Sequence, residues 1–384
     1  DLQYAEAADQ EFPPLPENDF APGAEEMNQM LDKIAGSSRR VIVAGGGVIA
    51  AGASEQLTAL AEKLDAPVIT TVDGRGAIPE DHPLCIGNYY GSAGIYQGIA
   101  DADLTLAFGT KFAVGVDGGS ARFTPPGDLV QVDIDPNMVG RTHRAALGVV
   151  ADAGAALDGL LAGLGDDLSG NDAQFNQGVL EARDGVHTAM RGRLGPDYSR
   201  LMDIMRARLP KGGLWCRDST IAAYNFGNQL FPIYEPRTSI NPSSGAIGPG
   251  LPFALGAVVG TGKPAILING DGGFMFHATE LATLAQYQVP LVVCVFNDGG
   301  YGVLRWLQEN RFGRVNETDL GKMDFAKMAE SMGVPGERVQ SVEAFDTAIE
   351  RGLSGSGPYL VDVDMEHFAP MEISIMPKKK PIEA

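Results

Sequence analysis

Residues 265–302 read AILINGDGGFMFHATELATLAQYQVPLVVCVFNDGGYG, and the fold is decided here. The apolar run 265–269 has strand length and delivers Gly270-Asp271-Gly272-Gly273 to its C-terminal end. Glycines there permit a tight turn and close approach of a ligand to the backbone. A helix is expected to begin near Phe274, with Phe274, Leu281, Leu284 and the ring of Tyr287 as the face that packs on the sheet. After Val289-Pro290 a second apolar run, 291–296, emerges at Asn297-Asp298-Gly299-Gly300. A strand–helix–strand connection in one sheet is almost always right-handed and returns parallel, so Asp271 and Asp298 are expected at one sheet edge. Open α/β sheets bind their ligands at that carboxyl edge. Two carboxylates with a backbone carbonyl suit Mg²⁺, which prefers oxygen and shares its shell with phosphate. The helix N-terminus adds partial positive charge at the same spot.

Outward from this segment, the pattern of short apolar runs and helical stretches repeats. Strands are expected at 214–218 and 359–365 around the deciding stretch, and at 41–44, 67–72, 104–109 and 129–135 nearer the N-terminus. Leu57, Leu60, Ala61 and Leu64 mark one helical face between two of them. Such alternation implies an α/β chain with two doubly wound parallel sheets covered by helices. The expected division is a linker over 1–32, a first domain over 33–165, a connector over 166–195, a second domain over 196–368 and a tail over 369–384. Residues 11–23, EFPPLPENDFAPG, read as extended linker, and something is expected to precede them. The Lys378–Lys380 run reads as a solvated tail.

The chain has 384 residues, 44% of them hydrophobic, so it can bury real cores. No apolar stretch reaches the roughly 18 residues of a spanning helix, so no membrane is expected. With 29 basic against 49 acidic residues the net charge is −20, which argues against nucleic acid. A phosphate ligand therefore needs backbone N–H groups, a helix N-terminus or a metal ion. Cys85, Cys216 and Cys294 lie far apart at no metal-ligand spacing and read as reduced buried thiols, which points to a cytoplasmic protein. His82, His143, His187, His277 and His367 show no ligand spacing either and read as surface or packing residues, as do Trp215 and Trp306.

The segment 270–300 resembles the thiamine diphosphate (ThDP) binding motif of the thiamine-dependent decarboxylase and acetolactate synthase family, which opens with Gly-Asp-Gly and closes with a pair of asparagines. The resemblance implies ThDP and Mg²⁺ as cofactors, with Asp271, Asp298 and the Gly300 carbonyl as metal ligands. Asp298 stands where the family has its second Asn, keeping an oxygen donor and adding a charge. Gly272 and Gly273 would offer N–H groups to the diphosphate. Tyr301-Gly302 and the run VLRWL resemble the benzoylformate decarboxylase branch. A second matching segment is Ser243-Ser-Gly-Ala-Ile-Gly-Pro-Gly-Leu-Pro252 followed by FALGA. Ile247 occupies the place of the large aliphatic residue that props the bent cofactor, and Gly245 that of the residue whose carbonyl receives the 4′-amino hydrogen. Ser219 and Thr220 match a phosphate-contacting turn, and Tyr301 joins the cofactor-binding set. VIVAGGGV, PVITT and DIDP at 133–136 are similar to the family's middle domain.

The family also has a pyrimidine-binding domain, carrying the glutamate that activates the cofactor; this sequence begins with what looks like its last residues, and no glutamate in it can be assigned that task. The expectation is therefore a subunit or fragment of a 2-keto acid decarboxylase or carboligase. Its activating Glu would come from a separate pyrimidine-domain polypeptide or a cleaved N-terminal fragment, in a homo- or hetero-oligomer such as a dimer of heteromers or a tetramer. Two rival readings stand beside it. Gly45-x-Gly47-x-x-Ala50, with Asp73 beyond the next strand, loosely fits a dinucleotide fingerprint. FAD in the middle domain, or a flavin or nicotinamide oxidoreductase, would follow from that. The other rival is a non-catalytic homologue that keeps the fold.

Overall fold

The structure is a computed structural model that describes residues 20–89, 91–112, 123–165 and 168–373. Most of the 1–32 linker and the Lys378–Lys380 run lie outside the described residues.

The first sheet contains β1 (Arg40–Ala44), β2 (Val68–Thr70), β3 (Cys85–Gly87), β4 (Leu104–Phe108), β5 (Asp128–Asp133) and β6 (Leu147–Val150). All pairings are parallel, in the order β3-β2-β1-β4-β5-β6. The central strands β1 and β4 are buried on both faces, as an apolar run without alternation demands. Ile42 and Ala44 turn toward helices α1 (Ala24–Ala35) and α3 (Ser54–Leu64), with the short α2 (Gly46–Ala50) between β1 and α3. Val41 and Val43 turn to the opposite face, toward α4 (Ala93–Gly98). Helix α5 (Ala153–Gly163) closes the α1–α3 side, and its N-cap Asp152 accepts N–H bonds from Gly154 and Ala155. The expected connector contains α6 (Ala173–Arg193), a 21-residue helix that packs on α4.

The second sheet contains β7 (Leu214–Arg217), β8 (Ser239–Ile240), β9 (Ala265–Gly270), β10 (Leu291–Asn297), β11 (Gly336–Val339) and β12 (Tyr359–Asp364). It is again all parallel, in the order β11-β12-β10-β9-β7-β8. Ile266 and Ile268 of β9 pack toward α7 (Gly195–Arg208) and the later α13 (Val342–Ser354). Ala265 and Leu267 pack toward α8 (Gly250–Thr261), α9 (Asp271–Phe274), α10 (Glu280–Tyr287) and α12 (Phe325–Ser331). Helix α11 (Gly302–Phe312) follows the tip of β10 and buries none of its residues fully.

The helix after β9 begins earlier than its sequence pattern suggests. Asp271 itself opens the single turn α9, and a break over 275–279 separates it from α10. Phe274, Leu281 and Leu284 are fully buried as expected, but Tyr287 is 68% exposed. Leu281, Leu284 and Tyr287 belong to the same α10, and at 3.6 residues per turn Tyr287, its last residue, is rotated off the face that Leu281 and Leu284 bury.

The first strand order reverses direction once; the second reverses after β8 and again at its edge, where β12 inserts between β10 and β11, and each sheet thus has a switch point. In the first sheet it lies between β1 and β4, and in the second between β7 and β9. Arg75 joins the two halves: its guanidinium makes a bidentate pair with Glu80 at 2.7 Å and donates to the carbonyls of Gly227 and Phe231. Glu80 in turn accepts the Ile233 N–H at 2.9 Å. Among the described residues no helix is long and apolar enough to cross a membrane.

Candidate functional site

At the second switch point β7 ends in Asp218-Ser219-Thr220 and β9 in Gly270-Asp271-Gly272-Gly273, with β10 ending beside them in Asp298-Gly299-Gly300. The parallel register of β9 and β10, Gly270 opposite Phe296, carries Asp271 and Asp298 to the same edge. Asp271 is 4% exposed; its Oδ1 accepts the Gly272 N–H at 2.9 Å and its Oδ2 the Gly300 N–H at 2.8 Å. Its carboxyl is in hydrogen-bonding contact with Asp298. Burial, and then the charge of Asp298, push Asp271 up to about 7. Burial also raises Asp298, against the pull of Arg305, whose Nη1 lies 3.4 Å from it. Two acidic groups that cannot both ionise without cost make a strong demand for a cation.

The glycines of this turn leave room for nothing of their own. A Cβ on Gly272 would stand 2.6 Å from the Tyr301 ring, and one on Gly270 2.7 Å from Thr220 Oγ1. Tyr301 and Thr220 thus pack directly on the backbone of the turn, a closeness that only glycine allows.

A second loop leans on the first. Asp218, which the strand pattern of 214–218 left without a role, is buried and accepts N–H bonds from Ser219, Gly248 and Gly250. Gly250 opens α8, so Asp218 caps that helix from the neighbouring strand. Gly245 and Gly248 both have positive φ, 67° and 103°. The turn between them holds Ile247 out, 39% exposed. Ser219 is half-buried and Thr220 buried beside these loops. Asp271, Asp298, Gly272, Gly273, Gly300 and Tyr301 at one pair of strand tips are thus met by the loops that carry Ser219, Thr220, Gly245 and Ile247. Among the described residues no cluster of three or more His, Cys, Asp or Glu side chains accompanies them. A pair of carboxylates completed by backbone and phosphate oxygens is still a fitting donor set for Mg²⁺, which keeps few protein ligands.

The first switch point faces this site across a cleft of about 950 Å³, lined by Gly46, Gly47 and Asp73 on one side and Arg217, Ser219 and Gly245 on the other. A Cβ on Gly47 would meet the Gly109 backbone at 2.5 Å, so the glycines of this turn serve a close approach of two strand tips. Arg217 is 2% exposed, and burial lowers its pKa to about 9. It donates to Asn228 and Ser239, and its Nη2 is buried without a hydrogen-bond partner in the structure. Periodicity flagged neither Arg217 nor Asp218, since each ends an apolar strand run; a charged pair closing a buried strand is the signal that marks them.

Two family models match the chain: "Thiamine pyrophosphate enzyme, central domain" over residues 27–160, and "Thiamine pyrophosphate enzyme, C-terminal TPP binding domain" over 221–363. The chain belongs to the thiamine pyrophosphate enzyme family. Within the family, it is 33% identical over 352 residues to the probable acetolactate synthase large subunit of Methanocaldococcus jannaschii, a match covering 86% of this chain and 58% of the relative. It is 32% identical to the probable 2-ketoarginine decarboxylase of Pseudomonas aeruginosa, over 89% of this chain and 61% of that protein. Acetolactate synthase 1, chloroplastic, of Oryza sativa subsp. japonica is 31% identical, over 91% of this chain and 57% of the plant protein. The chain thus spans about three fifths of the length of these family members.

Proposed function

We propose that this chain is the diphosphate- and magnesium-binding part of a ThDP-dependent enzyme that breaks or makes the carbon–carbon bond beside the keto group of a 2-keto acid. One observation carries the reading: the buried, mutually repelling pair Asp271 and Asp298 at a switch point, in a glycine turn against which Tyr301 and Thr220 pack. In this reading Asp271, Asp298 and the Gly300 carbonyl hold Mg²⁺. The N–H groups of Gly272 and Gly273, with Ser219 and Thr220, hold the phosphates, and Tyr301 packs beside them. Ile247 supports the bend of the cofactor, and the Gly245 carbonyl accepts its amino hydrogen. Bound ThDP supplies the electron sink, and the chain positions it and compensates its charge.

A proton must also leave the cofactor at neutral pH, which needs a carboxylate near the pyrimidine. None of the residues assigned above performs that task, so a pyrimidine-binding domain, on the same polypeptide or on another, is needed to complete the site. An apolar rim beside the site fits such a domain: Ile247, Phe253 and Phe276 are 39%, 45% and 57% exposed. A dimer of heteromers or a tetramer is the expected assembly.

Titration of the purified chain with ThDP and Mg²⁺ tests the cofactor assignment, with Asp271→Ala expected to abolish binding. Pyruvate and benzoylformate decarboxylation by the chain alone tests the partner, and full activity without one refutes it. A flavin in the cleft is a second reading, favoured by the order β3-β2-β1-β4-β5-β6 and by the unpaired Arg217 Nη2. Visible flavin absorbance in the purified protein decides it.

A further inference from the structure

The turn that presents Ile247 is held from both sides. On one side the Gly248 N–H donates to the Asp218 carboxylate at 2.9 Å. On the other the Gly248 carbonyl lies 3.0 Å from His277 Nδ1, an arrangement that makes Nδ1 the protonated nitrogen, donating to the carbonyl. Gly248 has a φ of 103°, and a Cβ there would stand 2.8 Å from Phe276 Cβ and 3.2 Å from His277 Nδ1. The residue is thus wedged against the break between α9 and α10, and only glycine fits.

The break has a use of its own. Had the helix run on unbroken from Asp271, the backbone around His277 would follow the helical path of α9. Instead the chain bends over 275–279 and brings the imidazole to the loop that carries Ile247. The hydrogen bond runs from His277 to the Gly248 carbonyl, so the brace acts on the Ile247 turn.

We propose that His277 is a positioning residue: through its hydrogen bond to Gly248 it sets the height of Ile247, and so the fit of the thiamine rings, without touching the phosphates. This rests on the reading of the site given above. The consequence is a separation that a general loss of structure would not produce. Contacts to the rings weaken when His277 is removed, whereas contacts to the diphosphate, made at Gly272, Gly273, Ser219 and Thr220, do not.

The experiment is calorimetric titration of the full chain, in excess Mg²⁺, with ThDP and separately with inorganic diphosphate. In His277→Ala the affinity for ThDP is expected to fall about fivefold, as for loss of one hydrogen bond. Affinity for inorganic diphosphate should stay within twofold of the parent. His277→Asn keeps an N–H donor at the same branch point and is expected to recover most of the loss. Equal affinity of His277→Ala and parent for ThDP overturns the proposal, and so does a parallel loss for both ligands, which marks a merely structural residue. If the parent chain binds diphosphate and Mg²⁺ but distinguishes ThDP not at all, the assignment of Ile247 fails. If it binds neither ligand, the proposed function fails first and the role of His277 with it.

Discussion

Asp271 Oδ2 accepts the backbone N–H of Gly300 at 2.8 Å, so the tips of β9 and β10 are tied together by the side chain that carries the metal assignment. The bond sets the spacing of the two acidic loops before any cation arrives. It also leaves Asp271 in a position that burial and Asp298 make unfavourable for a charge.

The first prediction concerns pH. A carboxyl raised on folding from about 3.9 stabilises the metal-free chain fully below that value. That contribution is lost as the pH rises through about 7, the folded-state value of Asp271. A bound cation needs the ionised form, so Mg²⁺ should release a proton and stabilise more strongly above neutrality than below it. Melting curves with and without Mg²⁺ between about pH 6 and 8, on the order of one unit either side of the shifted value, measure this. A magnesium effect independent of pH contradicts it.

Asp298→Asn restores the amide of the related motif and removes the charge that helps to raise Asp271. The pH at which Mg²⁺ begins to stabilise the chain should move down, and the metal-free protein should melt no lower than the parent. The same melting series reads both effects.

Arg75→Ala leaves Glu80 buried with its partner gone and frees the carbonyls of Gly227 and Phe231. Breaking a buried pair in this way costs about 3–5 kcal/mol. The loss falls on the junction of the two sheets, so denaturant unfolding should separate into two transitions.

Gly47→Ala puts a methyl group 2.5 Å from the Gly109 Cα, against backbone that cannot rotate away. Overpacking of this kind costs about 1–3 kcal/mol, and the upper end is expected here. Urea midpoints of the variant and the parent give the difference.

The buried strands were legible because an uninterrupted apolar run has only one home in an α/β protein, the middle of a parallel sheet. β1, β4, β9 and β10 were all readable on that ground. The edge strand β11 was not, since it carries Gly, Glu and Arg without an apolar run, and β6 was not, since Gly148 interrupts a short strand that is mostly exposed. β8 has two residues and no pattern at all. The break between α9 and α10 was also missed, because the apolar spacing of Phe274, Leu281 and Leu284 is compatible with one continuous helix.

What the linear order of residues determined was chemistry and direction: glycine and aspartate at the ends of apolar runs, and connections long enough to return the chain parallel. That alone puts Asp271 and Asp298 at one edge. Tertiary structure decided which groups hold the loops there. Asp218 and His277 meet Gly248 from opposite sides although they lie 30 and 29 residues away from it. No local pattern encodes such contacts, because they depend on where a neighbouring strand and a bend in another segment come to rest.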